Sequence, residues 1–192
     1  MIRFAKNIIA RSVGQILARL PVERVKNGRL RRWRQLGLQV RSPLRANPKL
    51  PFYSQYGQDE FIWNHLLKGE QRPGVFCEIG AANGVQFSNT LFFEKELDWI
   101  GLCIEPNPVA FRDLQAQRRA VCVNCGIGKV DSNMTFAMVS GWGSQLSCFT
   151  DFADREHIAR IDDSISNHGS KVENLTIKVR TLNEVARENH IS

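Results

Sequence analysis

Short apolar strands alternate with helical segments in the middle of this chain, and no other feature constrains the fold as strongly. Strand-like apolar runs cover residues 75–79, 99–104 and 120–124. Segments with helical spacing, 88–97 and 108–118, lie between them. Because such alternation implies right-handed crossovers, we predict an α/β fold with a parallel sheet whose faces are both covered.

Weaker patterns flank this region. A helix is predicted over 58–68, and alternating side chains predict strands over 134–139 and 176–180. The polar segment 151–171 has no clear period and receives no assignment. Two helix starts carry capping signals: Asn107 followed by Pro108, and Thr181 followed by Glu184.

The charge is concentrated at the start of the chain. Residues 1–50 contain thirteen lysines and arginines against one acid, whereas the remainder contains thirteen against eighteen. Residues 2–20 place their apolar side chains on one helical stripe, which predicts an amphipathic basic helix. We therefore divide the chain into a basic arm and linker, 1–50, and a mildly acidic domain, 51–192.

Three roles for the arm remain open at this stage: binding to an anionic membrane surface, an organellar transit peptide, or a solvated extension. Nucleic-acid binding is not expected, because no recognised module accompanies the charge and the domain itself is acidic. No apolar run approaches the ~18 residues of a membrane-spanning helix.

The five cysteines do not form the even, spaced set of a disulfide framework. Cys77, Cys103 and Cys122 fall in apolar strand-like runs, which favours core packing. The Cys122–Cys125 pair has the spacing of a metal or redox motif but lacks a second pair, so no metal site is predicted. A reducing, intracellular compartment fits this usage, and we predict a cytoplasmic protein, peripheral to the membrane if the arm binds there.

The glycine-containing loop 77-CEIGAANG-84 follows the first predicted strand. Its glycines, Gly80 and Gly84, lie four residues apart. A dinucleotide loop has three glycines, of which the second lets the backbone approach the pyrophosphate and the third lets the helix pack closely. Glu105 follows the second strand, about where an acid accepts hydrogen bonds from ribose hydroxyls. An adenosine with an amino-acid tail, such as S-adenosylmethionine, fits this loop better than a dinucleotide. A nicotinamide-dependent oxidoreductase with a degenerate loop stays open.

Several motifs, in order and spacing, resemble the FkbM family of methyltransferases. They are 53-YSQYGQDEFI-62, the loop and following S-N-T between residues 75 and 96, and 99-WIGLCIEPNP-108. The resemblance is close over 53–128 and loose over 129–186. It implies a Rossmann-like class I methyltransferase domain that uses S-adenosylmethionine, commonly to methylate hydroxyl groups of sugars or secondary metabolites.

The resemblance also implies positions for the site. The cofactor-binding residues carried over are Glu78, Gly80, Ala82, Asn83, Gly84, Ser88, Asn89 and Glu105, and Asn124 is expected near the adenine edge. For Ser88 and Asn89 plain helix capping is the alternative. A hydroxyl acceptor also needs a base, and Asp59 is the first candidate, ahead of the histidines His65, His157 and His168.

Class I methyltransferase sheets have seven strands, and the predicted elements supply only part of one. We therefore expect residues 51–192 to be an incomplete catalytic domain that lacks its C-terminal part. The predicted function is O-methylation of a sugar, glycolipid or secondary metabolite by S-adenosylmethionine. The alternative from another class is a non-catalytic adenosine-binding or scaffold domain. The sequence does not identify the acceptor.

Overall fold

A computed structural model describes residues 50–191. The predicted arm, including its amphipathic helix, therefore lies outside the described residues except for Leu50. The described chain divides into two compact units. The first contains residues up to 78 and 84–101, and the second contains 79–83 and the residues from 102 onward. No helix within residues 50–191 is long and apolar enough to cross a membrane.

The first unit is built around buried aromatic side chains. Phe92 and Phe93, which lie in the helix Leu91–Leu97, have no solvent exposure. Phe52 and Trp63 pack against the ring of Phe92, and Trp99 packs against that of Phe93. The elements of this part of the chain are α1 (Gln58–Phe61), a π-helical turn (Ile62–Leu66), β1 (Val75–Ile79) and α2 (Leu91–Leu97).

The strands predicted from apolar runs are present, with small changes at their ends. They are β1, β2 (Ile100–Ile104) and β3 (Val121–Val123), in a three-stranded sheet of order β1-β2-β3. Strands β2 and β3 are parallel, as expected. Helix α3 (Pro108–Gln117) connects them, and the Asn107 side chain accepts hydrogen bonds from Val109 N and Ala110 N at its start. This capping prediction is confirmed.

A second sheet corrects the prediction of a mostly parallel architecture. Its strands are β4 (Gly126–Gly128), β5 (Ser132–Ser140), β6 (Cys148–Phe149) and β7 (Lys171–Thr181), in the order β4-β7-β5-β6. Only β4 and β7 are parallel; β5 is antiparallel to both β6 and β7. The chain leaves β5 after Ser140 and returns at its register partner, Lys171, so the two strands must run in opposite directions. The α/β class stands, and the Rossmann-like arrangement stays a prediction.

The excursion between β5 and β7 contains helix α4 (Arg155–His168), where we had made no assignment. Asp154 caps its start by accepting a hydrogen bond from His157 N, and Gly169 ends it with a φ of 66°. Only Ile161 and Ser164 of this helix are buried. The sequence therefore shows too few apolar residues at helical spacing to predict the helix. The last helix, α5 (Leu182–Glu188), begins at Thr181 with the predicted capping box.

Candidate functional site

In the second unit, the loop that follows β1 is tied to the end of β2. Gly80 N and Ala81 N both donate hydrogen bonds to Ile104 O, at 2.8 and 3.1 Å. Ala82 N then donates to Glu105 Oε2 at 2.7 Å. Three successive backbone groups are therefore fixed by two successive residues of the neighbouring segment, and the loop is held in one conformation.

The backbone of this loop is left-handed at two positions. Gly80 has a φ of 75° and Ala82, although not a glycine, a φ of 48°. Within the described chain, a Cβ added at Gly80 would meet no atom within 4 Å. An added Cβ at Gly80 would therefore not block the turn by a steric clash, and glycine is favoured there because of its positive φ. The space beside Gly80 is open, and a ligand needs such a space in order to approach the backbone closely.

Glu105 is 6% exposed, and each of its carboxylate oxygens accepts a backbone hydrogen bond. Ala82 N donates to Oε2, and Asn107 N donates to Oε1 at 2.8 Å. Burial raises the pKa of Glu105, and the two backbone N–H groups oppose this shift by favouring the ionised form. Because a carboxylate has about four lone-pair sites, Glu105 can accept hydrogen bonds from a ligand as well.

Asn124 holds the segment that carries Glu105. Its Nδ2 donates to the carbonyl oxygens of Glu105 and Pro106, at 2.7 and 3.2 Å. The structure therefore shows the side-chain amide positioning this segment, and contact with an adenine edge stays a prediction. Asn107, which sequence reasoning treated only as a helix cap, also fixes Glu105 through its backbone N–H.

In the first unit, Glu78 is 3% exposed and stabilises the start of α2. Its carboxylate accepts hydrogen bonds from Ser88 Oγ at 2.9 Å, Asn89 N at 2.9 Å and Thr90 Oγ1 at 2.6 Å. Ser88 Oγ accepts in turn from Leu91 N at 3.1 Å. Ser88 thus has the capping role that we considered as its alternative. Contact of Glu78 or Ser88 with a cofactor stays a prediction.

Asn89 differs from its neighbours because one of its polar atoms is unsatisfied. Within residues 50–191, Oδ1 of Asn89 is sealed from solvent and accepts no hydrogen bond. Buried acceptors without donors are rare in folded proteins and call for an explanation such as a missing ligand. Asn83 and Gly84 complete the loop, and Gly84 has a φ of 79° that favours glycine.

Asp59 is fully buried and serves as a hydrogen-bond acceptor for its own turn. Four donors contact its carboxylate: Tyr53 N, Ser54 N, Ser54 Oγ and Glu60 N, at 2.5 to 3.1 Å. These contacts use the acceptor capacity of the group and fix residues 53–60. This geometry gives no support to the role of general base that we predicted for Asp59.

The histidine candidates are also engaged by the protein. His157 Nε2 lies 2.8 Å from Leu146 O, and Arg160 Nη2 lies 2.9 Å from His157 Nδ1. The ring of His168 stacks on Trp142, with centroids 3.9 Å apart, and that of His65 contacts Phe61. In the described part of the chain no group of three side chains is arranged to hold a metal ion.

Residues 78–192 match the family model described as the Methyltransferase FkbM domain. The chain belongs to the FkbM methyltransferase family. The matched region starts at Glu78 and includes the loop 80–84, Glu105 and both strands of the β5–β7 pair. The comparisons found no match among curated proteins or solved structures. The resemblance inferred from the motifs is therefore confirmed at the level of the family, and the chain carries a methyltransferase domain.

Proposed function

We propose that this FkbM domain binds S-adenosylmethionine and transfers its methyl group to a hydroxyl group of a sugar, glycolipid or secondary metabolite. The observation that carries the proposal is the Glu105 carboxylate, buried at the end of β2 and fixed by two backbone N–H groups. Burying an ionised carboxylate is unfavourable unless hydrogen-bond donors compensate it. Ala82 N and Asn107 N supply two such donors and leave acceptor sites on Glu105 that a ligand can fill. Two neighbouring ribose hydroxyls are suitable donors for it.

The residues of the second unit fit the adenosine part of this cofactor. Glu105 would accept hydrogen bonds from the ribose, and the open space beside Gly80 allows the ligand to approach the backbone. Bound S-adenosylmethionine would supply a methyl group on an electron-poor sulfur. Glu78, Ser88 and Asn89 stay predicted cofactor-binding residues, and the Oδ1 of Asn89, which lacks a donor within residues 50–191, supports this prediction for Asn89.

The protein contributes chiefly alignment to such a reaction. Holding the acceptor oxygen in line with the methyl carbon and sulfur can supply about 7–11 kcal/mol of the barrier. The short backbone hydrogen bonds from Gly80, Ala81 and Ala82 fix the loop before a ligand arrives. A preformed loop loses little conformational entropy on binding, which favours affinity.

The proposal is tested by titrating the full chain with S-adenosylmethionine, S-adenosylhomocysteine and NAD in a calorimeter. Methyl transfer from labelled S-adenosylmethionine to a panel of sugars, glycolipids and hydroxylated metabolites is measured in parallel. We expect binding of the two adenosyl ligands, weak or no binding of NAD, and turnover with at least one acceptor. Binding without turnover favours the non-catalytic adenosine-binding alternative, and a preference for NAD contradicts the proposal.

A further inference from the structure

Trp142 exposes an indole ring on the surface of the second unit, in the loop that follows β5. The residue is 67% exposed. Exposure alone says little, because apolar atoms form much of any protein surface. Phe152 of the same unit is 78% exposed, and its ring packs against no other ring in the part of the chain that the structure describes. Trp142 differs from Phe152 because its ring is stacked and its loop is anchored.

The indole of Trp142 stacks on the imidazole of His168, the last residue of α4. The ring centroids are 3.9 Å apart, and the ring planes differ by 20°. Because the imidazole covers one face of the indole, the exposed surface of Trp142 lies on the opposite face and the edges. Among the described residues, the indole N–H of Trp142 donates to no group, whereas that of Trp99 donates to Arg72 O at 2.7 Å. The indole of Trp142 therefore offers a ligand an apolar face and a hydrogen-bond donor.

Buried hydroxyl groups hold the loop that carries Trp142. Gly143 N donates a hydrogen bond to Ser170 Oγ at 3.0 Å, and Ser164 Oγ of α4 donates to the same oxygen at 2.5 Å. Both serines are buried. A Cβ at Gly143 would lie 2.1 Å from Ser164 Oγ, so only glycine allows this close approach. These contacts fix the loop and therefore the position in which it presents Trp142.

The surroundings of the two rings favour a sugar over other ligands of an exposed indole. A cationic ligand favours a cage of several aromatic side chains, and the loop 140–147 contains no second aromatic residue and no acid. The centre of a protein–protein interface is apolar. Glycines aside, the residues that flank Trp142 and His168 along the chain are instead polar and exposed: Ser140, Ser144, Gln145 and Asn167. A pyranose suits both features, since its C–H groups fit the electron-rich face of an indole and its hydroxyl groups fit polar neighbours.

We propose that Trp142 and His168 form a binding platform for a saccharide. A pyranose ring would lie on the free face of the Trp142 indole, and its hydroxyl groups would bond to the indole N–H and to polar side chains of the loop. Because the ring and the loop are fixed before binding, little conformational entropy is lost when the sugar binds. The inference goes beyond the proposed function, since it requires a bound sugar and no methyl transfer.

The binding test begins with the full chain on an array of immobilised glycans, and we expect at least one class of glycan to retain it. The soluble oligosaccharide of the best-retained glycan is then titrated into the nitrogen-labelled chain, and the indole N–H signals are followed by NMR. The signal of Trp142 is identified by its absence from Trp142→Ala. It should shift with added saccharide, whereas the signals of Trp63 and Trp99, which pack against phenylalanines of the first unit, should not.

Substitutions separate binding from folding. Trp142→Ala should weaken the affinity for the same oligosaccharide about tenfold or more, as truncation of an aromatic hot spot does, and Trp142→Phe, which keeps a smaller ring, should weaken it less. His168→Ala should also weaken binding, and His168→Phe, which restores a ring against the indole, should recover it. Phe152→Ala is the matched control and should bind as wild type does. Melting curves without saccharide identify any loss of folded protein.

The outcomes separate this inference from the proposed function. A chain that no glycan retains overturns the inference, and so does a folded Trp142→Ala variant that binds the oligosaccharide as wild type does. A Trp142 signal that shifts with tetramethylammonium chloride and with no saccharide shows a cation site and also overturns it. A chain that binds saccharide through Trp142 but transfers no methyl group supports the inference and contradicts the proposed function alone.

Discussion

The backbone N–H of Ala82 donates a hydrogen bond to the buried carboxylate of Glu105, with 2.7 Å between nitrogen and Oε2. The contact joins residues that are 23 positions apart in the chain. It fixes the loop after β1 and orients the acid that would bind a ribose. Because one contact does both, the conformation of the loop and the affinity for an adenosyl ligand should change together.

The raised pKa of Glu105 predicts pH-dependent binding. Ribose hydroxyls donate to the ionised carboxylate, and protonation removes this acceptor. Burial raises the pKa of this group, so affinity for S-adenosylhomocysteine should fall with decreasing pH, starting at a higher pH than for an exposed glutamate. Glu105→Gln should bind more weakly at pH 8 and show a flat profile. Calorimetry from pH 8 to pH 5 checks this, and an equal slope in the variant would contradict it.

Gly80 and Gly169 form a matched pair for testing the open space in the loop. Both have a positive φ, 75° and 66°, and in the described chain an added Cβ would meet no atom within 4 Å of either. Alanine at either position should reduce the free energy of unfolding by about 1 kcal/mol, because a left-handed backbone disfavours a Cβ. Only Gly80→Ala should also weaken S-adenosylmethionine binding. Equal affinity in both variants would show that the ligand does not approach Gly80.

Helix starts and strand cores were predictable because local side chains determine them. Asn107 and Thr181 cap helices with their own oxygen atoms, and the apolar run of β1 was predicted with its observed ends. The pairing of β5 with β7 was not predictable from the sequence. Each strand shows only alternating apolar and polar side chains, and this alternation does not identify the partner strand or its direction.

An ion cluster in the second unit predicts acid sensitivity. Arg180 Nη1 and Nη2 donate to Glu188 at 2.7 and 2.6 Å, and Thr181 N donates to Asp131. The bond from Arg180 lowers the pKa of Glu188, and that from Thr181 lowers the pKa of Asp131. Acids with lowered pKa values stabilise the fold above their unfolded pKa values, and this contribution disappears as the pH falls through the folded ones.

Glu188→Gln should therefore be less stable than wild type at pH 7 and lose less stability between pH 5 and pH 3. Exposed Asp162→Asn on α4 is the control, and it should follow the wild-type curve. Melting temperatures by circular dichroism at these pH values provide the measurement. Parallel curves for Glu188→Gln and wild type would show that the Arg180 contact does not contribute.

The charge of the basic arm, residues 1–50, predicts a membrane interaction that is independent of cofactor binding. We propose that residues 1–50 bind anionic membrane surfaces, since each basic residue near such a surface contributes about 1 kcal/mol. Removal of 1–49 should abolish cosedimentation with phosphatidylserine vesicles at low salt and leave S-adenosylmethionine affinity unchanged. Neutral phosphatidylcholine vesicles are the control. A full-length chain that ignores anionic vesicles at low salt would contradict the proposal.

The most direct test of the account is the affinity of Glu105→Ala for S-adenosylmethionine, measured by calorimetry beside wild type. Hydrogen bonds to a charged group contribute about 1.5–3 kcal/mol each, so loss of the carboxylate should weaken binding at least about tenfold. Asp162→Asn should bind as wild type does. A melting curve in the absence of ligand identifies any loss of folded protein. A folded Glu105→Ala variant with wild-type affinity would contradict the assignment of Glu105 to the ribose, and with it the site proposed here.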